Sequence, residues 1–225
     1  MAPVAGLLTH TMQMHAPRED LALSRVRFDI LAVMPAIELE VHARTVRPGQ
    51  TIELVESEMV CSGRTVARAR GWRLLVSDTS AVVGTPTHTI EGPDHAEPRP
   101  GSDVWDGAYI RSLEFRRLPG HAAGRGCTWI RSTVDLIDGA PTTDLERIMT
   151  LTDTANGVSA RVSPDTCAFP NMDLSVHLFR QPVGEWLGLD TEVSFGGGVG
   201  LTTACLHDIA GTIGRSAQIP TLWSR

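Results

Sequence analysis

The chain is poor in the features that mark several large functional classes. Its four cysteines, Cys61, Cys127, Cys167 and Cys205, stand far apart, with no C-x-x-C pair and no Cys/His pattern at metal-ligand spacing. That spacing excludes a zinc-ribbon or thioredoxin-type site and fits isolated reduced thiols in a cytoplasmic protein. No apolar run approaches the roughly 18 residues that a membrane-spanning helix needs, and the first residues, MAPVAGLLTHTMQ, lack the basic start of a secretory signal. The 20 basic and 26 acidic residues are interspersed and sum to a net charge of −6. With no basic run or stripe, neither nucleic acid nor an anionic membrane surface is an expected partner.

Sharper catalytic motifs are missing as well. GVSAR at Gly157 and GRSAQ at Gly214 lack the second glycine of a serine-hydrolase elbow. GGGVG at Gly196–Gly200 lacks the Lys-Ser/Thr of a phosphate loop and joins two strand-like runs, so it is expected to be a hairpin. His88 and His95 fall in a polar loop, and His177 and His207 fall in strand-like runs, without ligand spacing. No metal and no organic cofactor are implied.

What remains is a chain of 225 residues, 42% hydrophobic, enough for one large domain or two small ones. The stretch TDLERIMTLTDTANG, Thr143–Gly157, carries helix signals at both ends. Thr143 and Glu146 form a T-x-x-E capping box. Leu145, Ile148, Met149 and Thr152 recur at helical spacing, Asp153 lies at the edge of that apolar face, and Asn156-Gly157 is the expected left-handed stop. Residues 3–15 form an earlier helix, opened by Pro3 and ended by Pro17.

Strand-like runs cover Leu21–Ala32, Ile37–Val46, Thr51–Cys61 and Arg64–Ser77 in the first half. In the second half they cover Ala108–Arg117, Gly126–Ile137, Cys167–Arg180, Glu185–Phe195, Val199–His207 and Thr212–Ile219. Turn signals separate them at Met34-Pro35, Arg47-Pro48-Gly49, Ser62-Gly63, Gln181-Pro182, Gly196–Gly198 and Ala210-Gly211. Residues 84–104 lose periodicity and gather Pro, Gly and charge, as a linker does.

The halves repeat. VRFDILAVMP ends at Pro35 and DLSVHLFRQP at Pro182, an offset of 182 − 35 = 147; the blocks containing Gly63 and Gly211 align at 211 − 63 = 148. A helix followed by four antiparallel strands, twice, is a duplicated α+β unit. Two strand-like runs precede the second helix and none precedes the first, so the first unit is expected to lack roughly 35–40 residues of strand. A longer native protein is the corresponding expectation, and intact-mass measurement tests it: a 24.3 kDa species in the source cell would refute it. The second asymmetry is chemical. Gln218 falls opposite Arg70, and Asp153 falls opposite the segment Gly6–Met12, which has no carboxylate.

The blocks MAPVAGLL, TVRPGQTIELVESEM–GRTVARARGWRL and FPNMDLSVHLFRQPVGEWLGLDTEVSFGGGVGLTTACLHD–GRSAQ resemble the thioesterase-like superfamily related to acyl-CoA thioesterase II. The resemblance implies a double hotdog, two antiparallel sheets each wrapped round a long helix. Its units would be residues 1–83 and 105–225, joined by 84–104. It implies hydrolysis of an acyl-CoA to free acid and CoA, a place in lipid metabolism, and a homodimer or higher homo-oligomer. It also implies the site. The family's helix Asp corresponds to Asp153 in TLTDTANG, and its final-strand Gln to Gln218 in GRSAQ. Its strand Ser or Thr corresponds to Asn171, with Ser175 as an alternative register. Asn171 keeps a polar tip but loses the hydroxyl, which opens a second reading: a non-catalytic acyl-thioester binding or scaffold protein on the same fold.

Overall fold

Pro3 opens the first helix where its missing N–H has no intrahelical partner to lose. Ala5, Leu8 and Met12 then bury one stripe of α1 (Ala2–Met14). The computed structural model describes residues 1–34 and 36–225. Pro35, half of the expected Met34-Pro35 turn, lies outside the described residues. After α1 come β1 (Leu21–Ile30), β2 (Glu40–Arg47), β3 (Ile52–Cys61) and β4 (Arg64–Leu75). Residues 84–104 hold more structure than a free linker. They contain 3-10 turns at Pro93–His95 and Gly101–Asp103 and the short strand β5 (Glu97–Pro98). Ala96 is buried with Leu118 and Trp129, and the Trp129 indole donates to Glu91 O at 2.8 Å.

Two expected strands are shorter than their patterns. Ala108–Arg117 divides into a helical turn, α2 (Ala108–Arg111), and β6 (Leu113–Arg117); the second, β7, is Arg125–Ser132 and stops before Ile137. α3 (Asp144–Thr152) and α4 (Ala155–Val158) follow. Cys167–Arg180 is broken into β8 (Cys167–Ala168) and β9 (Asp173–Leu178) by Pro170, which has no N–H to give to a ladder. The last strands are β10 (Leu187–Gly196), β11 (Val199–Asp208), β12 (Gly211–Gln218) and β13 (Trp223–Ser224). Gly197 and Gly198, at φ 61° and 81°, make the β10–β11 turn, the expected hairpin.

Eleven strands form one antiparallel sheet in the order β2-β3-β4-β1-β9-β12-β11-β10-β7-β6-β5; β8 and β13 pair separately. The halves join where β1 runs against β9, from Arg25↔His177 to Asp29↔Asp173. α1 and α3 pack on each other and on the sheet, and one core runs through both halves.

The repeat survives in the pairing register, with one correction. Val55 pairs with Gly71, and Thr202 with Gln218, at a constant offset of 147 (202 − 55 and 218 − 71). The inward counterpart of Gln218 is therefore Gly71, not Arg70. Arg70 faces out and pairs with Glu56, and a one-residue slip in a strand reverses the face. Gly71 lies under α1, where an added Cβ would come within 2.5 Å of Leu23 and 3.1 Å of Met12.

Arg73 fixes that helix. It is 3% exposed, donates from Nη1 to Glu53 Oε2 at 2.8 Å, and donates to the carbonyls of Met12, His15 (2.7 Å) and Ala16 (3.2 Å). Those of Met12 and His15 are orphan acceptors at the end of α1, and Ala16 follows its C-cap. Arg73→Met leaves them and the buried Glu53 unpaired, and is expected to destabilise the protein by about 3–5 kcal/mol, read from urea or thermal unfolding.

Candidate active site

The capping box forms as expected: Glu146 N–H donates to Thr143 Oγ1 at 3.2 Å, and Thr143 N–H to Glu146 Oε2 at 2.9 Å. Leu145, Ile148, Met149 and Thr152 are buried. The stop differs from expectation. Asn156 and Gly157 lie inside α4 with ordinary helical backbone; the break comes at Asp153. Thr150, Thr152 and Thr154 donate their hydroxyls back to the carbonyls of Glu146, Ile148 and Leu151 at 2.7–2.8 Å. Such local bonds compete with a regular helix, and Thr154 N–H turns to Leu151 O in a tight final turn.

Asp153 thus sits at a corner between two helical segments, with its side chain 13% exposed. The other two residues indicated by the sequence reach it. Asn171 Nδ2 donates to Asp153 Oδ1 at 3.3 Å. Gln218 Nε2 donates to the same Oδ1 at 3.2 Å and to Asp153 O at 3.2 Å. Gln218 is fully buried, and its Oε1 has no partner among the described residues. Asn171, just before β9, is bridged to Pro220 beyond β12, which holds both amides at one end of the sheet. Ser175 makes none of these bonds: on β9, Leu174 and Val176 point into the core and Ser175 alternates away from it.

Burial raises the Asp153 pKa above the usual carboxylate value. The amine of Met1, 3.8 Å from Oδ2, and the donors on Asn171 and Gln218 oppose that rise. The Ala2 N–H, at the positive end of α1, acts in the same direction as these donors. The tyrosine at position 109 donates to Thr150 O at 3.0 Å; burial first, and the Asp153 charge second, push its hydroxyl pKa up, so it stays protonated.

Sequence reasoning missed Asn156 as part of this set. Its Nδ2 donates to Asn171 Oδ1 at 2.8 Å and to Phe169 O at 3.4 Å. Its pairing with glycine gave a turn signal that concealed the contact. Asp153, Asn171 and Asn156 open onto a cavity of about 1320 Å³ with predominantly apolar walls, among them Leu7, Met59, Trp105 and Phe169. Trp105 closes one side, donating to Gly157 O at 3.1 Å and meeting Phe169 edge-on at 5.6 Å. His177 is exposed, and His207 is buried against Thr212 at 3.3 Å, its pKa lowered by burial. No cluster of His, Cys, Asp and Glu is placed to hold a metal among the described residues.

Among known protein families, the acyl-CoA thioesterase C-terminal domain matches residues 93–221 and the acyl-CoA thioesterase N-terminal domain matches residues 2–74. No curated protein sequence matches the chain. Among solved structures, an acyl-CoA thioesterase II from Mycobacterium marinum superposes with a TM-score of 0.73 at 17% identity, over 100% of this chain and 90% of that one. A hot dog fold protein of unknown function from Alicyclobacillus acidocaldarius superposes at 0.78 with 12% identity, over 99% and 86%. The tesB protein of Mycobacterium avium subs paratuberculosis gives 0.69 at 16%, over 100% and 85%. These likenesses establish a hotdog fold, and the match across residues 93–221 places the chain in the acyl-CoA thioesterase family, a family of thioester hydrolases.

Proposed function

We propose that the protein hydrolyses an acyl-CoA to the free acid and CoA with a water activated by Asp153. The observation that carries this is the carboxylate held at a cavity wall by two amides, one of which, Gln218, keeps a buried and unpartnered oxygen. A water held by Asp153 on the cavity side gives its proton to the carboxylate as its oxygen attacks the thioester carbonyl. The second N–H of Asn171 steadies the resulting oxyanion, a contribution of about 3 kcal/mol. Collapse breaks the C–S bond, and protonated Asp153 returns its proton to the leaving thiolate. The apolar cavity takes the acyl chain. Neither metal nor organic cofactor enters these steps.

The raised pKa suits the role, because a base that must take and return a proton works best when its pKa lies nearer the working pH. Asn171 supplies the donor that a Ser or Thr hydroxyl would supply, and leaves the carboxylate oriented. Its lost hydroxyl is what favours the second reading, binding without turnover.

The double hotdog is part of the same reading, with units 1–83 and 105–225 around 84–104; the offset of 147 in both strand pairs supports it. So does the intramolecular β1–β9 seam. β2 ends the sheet with an exposed edge, and Val33 and Ile37 beside it are 93% and 57% exposed, which supports a homodimer. No helix is long and apolar enough to cross a membrane among the described residues, and a cytoplasmic site of action is the simplest reading of four free cysteines.

A thiol-release assay over a panel of acyl-CoAs tests the chemistry. Asp153→Ala and Gln218→Ala are each expected to lower kcat/KM by at least about 100-fold. Equal turnover in wild type and Asp153→Ala removes the assigned role, and tight binding without turnover in wild type selects the second reading. In wild type, kcat/KM is expected to fall with acid through a midpoint above the ordinary 3.8 of a carboxyl group. The same raised value means that Asp153 favours the folded state only while protonated. That contribution is present below the unfolded pKa and is lost as pH rises through the folded one. Asp153→Asn is therefore expected to melt at a higher temperature than wild type at about pH 7. Light scattering at micromolar concentration is expected to report a dimer; a monomer would contradict it.

A further inference from the structure

The cavity has a second polar element away from Asp153. On β6, Leu113 and Phe115 are buried in the core, so alternation turns Arg117 toward the same interior. A charged group on an inward face is costly without a partner. Arg117 has no carboxylate within ion-pair distance among the described residues, and its Nε is buried without a hydrogen-bond acceptor. The charges that bear on it are Arg99, of like sign, and Asp103; Arg99 is itself paired with Glu97 at 3.7 Å. Directly across the strand pair from Arg117 stands Thr128, 2% exposed, whose hydroxyl is also without a partner. Both residues line the cavity that opens onto Asp153.

We propose that Arg117 and Thr128 form an anion-binding subsite in this cavity, for an oxyanion carried by the acyl-thioester substrate: a carboxylate on the acyl group or a phosphate of its CoA. The proposal rests on the assignment of the Asp153 site to acyl thioesters and adds a preference to it. A guanidinium offers a planar fork of donors that fits a carboxylate or phosphate with two parallel bonds. The Thr128 hydroxyl adds a third donor from the neighbouring strand. Phe115 and Ile110 beside them are apolar, which strengthens a charged contact by excluding water. The negative charge of an incoming anion would also offset the burial and the Arg99 repulsion that pull the Arg117 pKa down.

Calorimetric binding of four probes tests this without any turnover: suberate against octanoate for the acyl carboxylate, and CoA against pantetheine for the phosphates. Wild type is expected to bind the more highly charged member of one pair, suberate or CoA, more tightly. Arg117→Met should weaken that member by about 10-fold or more and leave its matched partner within about 2-fold. Thr128→Val, nearly isosteric, should show the same pattern with a smaller loss, and Arg117→Lys should restore part of the affinity. Loss confined to suberate assigns the acyl carboxylate; loss confined to CoA assigns the phosphate. The proposal is overturned if wild type shows no preference within either pair, or if the variants change all four affinities alike. A wild type that binds these probes with the expected preference but hydrolyses no thioester would remove the thioesterase reading and leave this subsite standing.

Discussion

An ionised carboxylate can only accept hydrogen bonds, and the polar groups around Asp153 are ordered by that fact. Asn171 must turn its amide nitrogen toward Oδ1, which leaves its oxygen facing Asn156; Asn156 must then present its own nitrogen. Gln218 likewise donates to Oδ1 and is left with a buried oxygen that accepts from nothing in the chain. One charge at a helix corner thereby sets the direction of three amides.

The two halves of the chain show how such a site arises from a repeat. In the first half, the inward position of the last strand is Gly71, and Met12 of α1 and Leu23 of β1 fill the space a side chain would need. In the second half, the same register position is Gln218, and the element above it supplies Asp153. One layer is closed by apolar contact, the other by polar contact. Arg73 holds α1 down on the closed side by taking up the carbonyls at its end. The halves are not independent, because β1 and β9 continue one sheet and a single core runs beneath both.

Much of this architecture is legible in residues alone. The capping box at Thr143 and Glu146, the stripe Leu145, Ile148, Met149 and Thr152, and the alternation in β3 and β4 are local patterns, and local physics suffices to read them. Where the patterns misled, a competing local bond or a distant contact decided. Asn156-Gly157 has the composition of a helix stop, yet threonine hydroxyls break the helix earlier and Asn156 is used as a donor. Residues 84–104 have the composition of a linker, yet Ala96 and Glu91 are drawn onto Trp129.

By itself, the amino-acid sequence determined the two longer helices, most of the strands and their repeat, because periodicity and capping depend on neighbours along the chain; Asp153, Asn171 and Gln218 were indicated by the resemblance to a known family. Tertiary structure alone decided the facing of each strand, since a shift of one residue exchanges Arg70 for Gly71 opposite Gln218. It also decided the role of Asn156, the large apolar cavity and the inward turn of Arg117, none of which has a signal in residue order. Those features come from side chains that the packing of separate elements brings together, and their energies exist only once water has been excluded from between them.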